Sequence, residues 1–229
     1  MLRFFIILGN LGVPGLALLL GIIRPKGWLS WFFVLFVLIH SVARVWETFY
    51  TSKEKRRLEF HGDWPLVAVT SAYIILCFVI ILEFFFMSRS PRFLNFLVGC
   101  ILYGLAFRLR WWGMASLGKQ WAIHAIGPKK IRKIRLIQLG PYKFIRHPIY
   151  LGIAIETISI SIMPSCYLSL IFSITVCIPL IILRALLEER SSARRFGQLH
   201  QRYTEKIPMF LPVTKKTFLS FLRSIIANK

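Results

Sequence analysis

Six long apolar runs, separated by short polar loops, limit what this chain can fold into. They are Phe4–Ile23, Trp28–Trp46, Trp64–Met87, Phe93–Trp112, Ile149–Met163 and Tyr167–Leu187. A helix needs about 20 apolar residues to cross a hydrocarbon core of ~30 Å. The first four runs reach that length. The fifth has 15 residues, or about 22 Å of helix at ~1.5 Å per residue. Met163, Pro164 and Ser165 then break the chain before the sixth. The last two runs therefore predict a short helical hairpin that stops short of a full crossing or thins the bilayer around it. The expected fold is an all-α integral membrane protein with about six transmembrane helices. No small-residue cleavage site follows the first run, so it reads as a membrane helix and not as a signal peptide.

Charge sets the orientation. Only 17% of the 229 residues are charged, yet the formal net charge is +21. In a soluble protein such an excess would point to nucleic acid. Here most of it lies in short loops, where it sets topology and attracts anionic headgroups. The partners expected are therefore anionic membrane lipids and no nucleic acid. Residues 119–146 carry eight Lys/Arg and no acid, and residues 47–63 carry four. The 24–27 and 88–92 loops carry two each. Alternation then puts 47–63, 113–148 and 188–229 in the cytosol, with both termini. A site built from these loops sits at the cytosolic face. Compact length and short loops lean towards a bacterial inner membrane over the endoplasmic reticulum. The expected organisation is N-terminal membrane helices over 1–99, a core over 100–212 and a basic tail over 213–229.

Much common chemistry is missing. No Gly-rich phosphate loop joins a strand to a helix, and no clustered Cys/His set has metal-ligand spacing, so no metal site is expected. Cys77, Cys100, Cys166 and Cys177 all fall in apolar runs and read as buried thiols. His40, His61, His124 and His200 are scattered and read as lone surface or packing residues.

Two polar clusters stand at adjacent helix ends. In the first, Gly140-Pro141 forms a turn, and His147-Pro148 starts a helix, where proline's missing N–H costs nothing. A helix N-terminus favours an anion, and Arg146 could grip a carboxylate with two N–H groups. His147 and Tyr150 project from the first turn, and Tyr142 offers an aromatic face. The competing reading makes Tyr142, Lys143 and Arg146 interfacial anchors only. In the second cluster, Arg184 and Glu188 are four apart and share a helix face. Arg184 lies inside an apolar run, where a charge is usually paired or functional. A plain ion pair closing the helix is the alternative. Glu189 points about 100° away from Glu188, so the two acids cannot serve that pair equally. Phe196-Gly197, Tyr203, Ile207-Pro208 and Pro212 follow as a helix end and an ordered cover.

These residues together resemble the isoprenylcysteine carboxyl methyltransferases and the related phospholipid N-methyltransferases. The GPYxxxRHPxYxG stretch of that family is present from Gly140 to Gly152. Its RxxxEE is present as Arg184, Glu188 and Glu189. Its FGxxYxxYxxxVPxxxP pattern appears from Phe196 to Pro212, and an LGxxW-like segment runs from Leu117 to Trp121. The likeness covers about 100–212, and its four motifs fall in order. Two positions depart from the pattern. His200 stands where a tyrosine is expected, and Ser192 where a leucine is expected.

The resemblance implies S-adenosylmethionine as cofactor, held without a Rossmann domain. It puts His147 and Tyr150 on the cofactor, with Tyr142 beside it and Trp121 as a candidate stacker. Arg146 suits a carboxylate tail. Glu188 or Glu189 could take the amino group or face the sulfonium. The implied reaction is methyl transfer to a lipophilic small molecule or a lipidated substrate, with Arg184 and Glu188 as the catalytic pair. An amine acceptor would need a base such as a glutamate. A carboxylate acceptor would need a cation such as Arg184. The residues do not choose between a prenylcysteine carboxylate, a phospholipid amine and a thiol. The acceptor is expected to enter sideways between helices such as the fourth and the hairpin. Two other classes compete: an NADPH-dependent membrane reductase of the sterol-reductase type, and a non-catalytic membrane scaffold.

Overall fold

The structure is a computed structural model that describes residues 2–49, 64–87, 92–118, 135–212 and 215–227. Trp121 and the whole 119–134 part of the basic loop lie outside the described residues, as do His61 and His124. Each apolar run forms a helix: α1 (Leu2–Ile23), α2 (Trp28–Phe49), α3 (Trp64–Phe86), α4 (Phe93–Leu117) and α5 (Pro148–Ile162). The sixth run is α6 (Tyr167–Phe172), continued through a π-turn into α7 (Ile178–Phe196). Then come α8 (Gln198–Lys206) and α9 (Lys215–Ala227). All regular structure among the described residues is helical, the only kind besides a closed barrel that satisfies backbone groups in lipid.

Among the described residues, four helical stretches are long and apolar enough to cross a bilayer: Trp28–Glu47, Trp64–Phe86, Phe93–Leu117 and Tyr167–Phe196. Three further described stretches, Leu11–Ile23, Pro148–Ile162 and Thr217–Ala227, are apolar but shorter. The turn expected after the fifth run is present. Ser165 adopts φ 62, and its Oγ accepts from Arg92 N at 3.1 Å and from Asn95 Nδ2 at 3.0 Å. The hairpin tip is thereby tied to the start of α4.

A core of Ala17, Val34, Val37, Leu76, Ile81 and Ile160 joins α1, α2, α3 and α5. Phe33 stacks on Phe84 within it at 4.1 Å. Three of the four cysteines are buried as expected. Cys100 is exposed instead, because it lies on an outer face of α4.

The α4–α5 seam positions everything that follows. A Cβ on Gly99 would come within 2.8 Å of Met163 Cα, and one on Gly152 within 2.5 Å of Arg110 Cγ. Small residues let the helices approach this closely. The seam is closed, so the face of α5 towards α4 leaves no room for the sideways entry expected there.

Candidate functional site

Pro148 at the first position of α5 fixes where that helix starts, and His147 is its N-cap. Tyr150 then falls in the first turn, against α7. Arg184 Nε donates to the Tyr150 hydroxyl at 2.9 Å. That hydroxyl donates onward to Glu188 Oε2 at 2.6 Å. Arg184 is buried, so the low-polarity surroundings strengthen both bonds. A cation, a phenol and a carboxylate thus form one chain across α5 and α7.

The neighbouring acid serves a different network, as the 100° offset requires. Glu189 Oε1 accepts from His147 Nε2 at 2.7 Å and from Arg146 Nε at 3.0 Å. His200 Nε2 lies 3.4 Å from Glu189 Oε2. The buried Nδ1 of His200 has no hydrogen-bond partner among the described residues. His147 also stacks on Tyr150, with ring centroids 5.5 Å apart, so the two networks touch.

The cover over this site is held by backbone bonds. Arg146 Nη1 donates to the carbonyls of Thr204 at 3.0 Å and Ile207 at 2.9 Å. Arg146 N donates to Pro208 O, and His147 N to Met209 O. Tyr203 Oη donates to Tyr142 O at 2.7 Å. Burial, then the Glu188 carboxylate, push the Tyr142 phenol well above its usual range. Burial raises that of Tyr203 as well. Both stay neutral phenols at physiological pH. The proline of the Ile207-Pro208 step has no N–H to give, but its carbonyl and that of Ile207 are both used.

The structure thus gathers Tyr142, Arg146, His147, Tyr150, Arg184, Glu188 and Glu189 in one region. The eighth candidate, Trp121, lies outside the described residues. Arg146 is placed differently from a free carboxylate grip, since Nε and Nη1 are bonded to Glu189 and α8. Reading from the sequence passed over His200 as a scattered histidine. The available signal was its place in the motif, where a tyrosine was expected.

Residues 97–193 match the sequence model of the Isoprenylcysteine carboxyl methyltransferase (ICMT) family. That segment is ICMT-like. It holds both networks up to Glu189. His200 and the 203–210 cover lie beyond the matched segment. The chain is also similar to YpbQ of Bacillus subtilis (strain 168), described only as an uncharacterized protein. The two are 24% identical over 123 residues, 53% of this chain and 70% of the relative.

The donor set of this site fits a ligand that carries both cationic and carboxylate groups. Glu188 and Glu189 suit an ammonium and a sulfonium, and aromatic faces such as Tyr150 also favour a soft cation. Arg184 suits a carboxylate. The unpartnered His200 Nδ1 is a buried polar atom of the kind a polar ligand satisfies.

Proposed function

We propose that this protein is an S-adenosylmethionine-dependent methyltransferase acting on a lipophilic acceptor at the cytosolic face of a membrane. One observation carries the reading. Within an ICMT-like segment, two adjacent glutamates end two separate networks, Arg184–Tyr150–Glu188 and His147–Glu189, at one end of α5 and α7.

Bound there, S-adenosylmethionine would supply an electrophilic methyl group next to a positive sulfur. The residues that would hold it are His147, Tyr150, Glu188 and Glu189, with Tyr142 beside them. Arg184 Nε and the Tyr150 hydroxyl keep the Glu188 carboxylate oriented. His147 and Arg146 do the same for Glu189. Such pre-set geometry supports the reading, since positioning supplies much of the rate of a displacement reaction. For an amine acceptor, Glu188 would take the proton. For a carboxylate acceptor, Arg184 would hold the nucleophile. The buried, neutral Tyr142 and the 203–210 cover limit water. Because the α4–α5 seam is closed, the acceptor would reach the site along the outer side of α7, where Leu183 and Leu186 are exposed.

The test is methyl transfer from S-[methyl-³H]adenosylmethionine to lipid extracts by purified protein. Label appearing in the organic phase, and lost with Glu188→Gln, is the result this reading expects. No transfer, together with saturable NADPH binding, would select the reductase. Neither would select the scaffold.

A further inference from the structure

Outside the candidate site, α2 to α5 share a second set of buried charges. Glu156 lies midway along α5 and is 1% exposed. Arg110 of α4 pairs with it through Nη1 and with Glu47 of α2 through Nη2. Arg44 Nη1 lies 2.9 Å from Glu47 Oε2 and 3.6 Å from Glu156 Oε2. Tyr73 of α3 donates to Glu156 Oε1 at 2.7 Å, and His40 Nε2 is 2.8 Å from the same hydroxyl. His40 Nδ1 lies 2.9 Å from the Tyr103 hydroxyl. Two guanidinium groups face two carboxylates, so the formal charges cancel when His40 is neutral.

Charges inside a membrane bundle are costly unless paired. Removing one partner leaves an uncompensated charge behind. This network ties α2 and α3, which precede the ICMT-like segment, to α4 and α5 within it. It also acts on α5 from the side opposite the candidate site. Ile149, Gly152 and Glu156 share the face towards α4, where Ile149 meets Gly113 and Gly152 meets the Arg110 stem. Tyr150 points to α7. The Arg110 stem crosses α5 at Gly152, and its fork ends on Glu156 one turn further along. A rotation or slide of α5 that breaks this contact also moves Tyr150 away from Glu188.

We propose that Arg110 and Glu156 are positioning residues for the methyl-transfer site. Their ion pair, anchored on Glu47, fixes the depth and rotation of α5, and hence where His147 and Tyr150 meet α7. The choice of ligand rests on the function proposed above, while the mechanical claim does not.

The test compares the full chain in detergent with Glu156→Gln and with Glu83→Gln. Glu83 is another buried carboxylate, bonded instead to Leu168 N, Ser169 N and Ser169 Oγ at the start of α6. Two readouts are taken on folded protein. They are hydrogen exchange of peptides covering Tyr150–Ile155, and the Kd for S-adenosylmethionine. Glu156→Gln is expected to speed exchange there and to raise Kd roughly tenfold, about 1.4 kcal/mol. Glu83→Gln is expected to change neither. Should Glu156→Gln not fold, Arg110→Lys keeps the charge, loses the fork, and carries the same expectation. Unchanged exchange in α5, in the variant that folds, overturns the proposal. Faster exchange in α5 with no cofactor binding by the wild type supports the positioning and sinks the methyltransferase reading alone.

Discussion

The Tyr150 hydroxyl, on α5, stands 2.6 Å from Glu188 Oε2, on α7, and donates to it. The two residues are 38 positions apart, and the same hydroxyl accepts from Arg184 Nε. One oxygen therefore links a buried cation to a carboxylate, and joins two of the four motifs that carry the family resemblance.

Tyr150→Phe removes that oxygen and leaves the ring. A bond to a charged group contributes about 1.5–3 kcal/mol. The variant is expected to fold and to bind S-adenosylmethionine about tenfold more weakly. Calorimetry on purified protein checks this. An unchanged Kd would mean the relay does not shape the site.

Arg146→Lys tests the cover. A lysine keeps the charge but cannot reach Glu189, Thr204 O and Ile207 O from one planar group. The cover over 198–212 is expected to loosen, with faster proteolytic cleavage there. The membrane helices should keep their thermal stability to within about 1 kcal/mol, since the lost bonds lie outside their packing. Cleavage at the wild-type rate would show that the cover is held by other contacts.

Gly152→Ala tests the seam. The added Cβ would meet Arg110 Cγ at 2.5 Å and the Ala106 carbonyl at 3.0 Å. The backbone oxygen has little freedom to move, so a loss of about 1–3 kcal/mol is expected from overpacking. Thermal unfolding in detergent reads it as a lowered Tm. No change would mean that α4 and α5 have slack.

How much of this was legible depends on where the partner lies. Six apolar runs became helices because an uninterrupted apolar stretch has few other options in a membrane. The break at Met163–Ser165 showed as proline next to a residue whose side chain can cap. The parting of Glu188 from Glu189 followed from helix geometry alone. The double use of Arg146 on Thr204 and Ile207 carbonyls left no trace, because backbone oxygens are present at every position. The Arg110–Glu156 network was missed for another reason. Each helix contributes only a few polar residues, and the pairing exists only after packing. His40, Arg44 and Glu47, at four- and three-residue spacing on α2, were the available signal. Cys100 was misread as buried because apolar runs have a lipid-facing side as well as an inner one.

The most direct measurement is calorimetric titration of detergent-purified, folded wild type and Glu188→Gln with S-adenosylmethionine, with NADPH as a control ligand. The account predicts saturable binding of S-adenosylmethionine to the wild type, marked weakening in the variant, and no NADPH binding. Absence of S-adenosylmethionine binding by folded wild-type protein would contradict it.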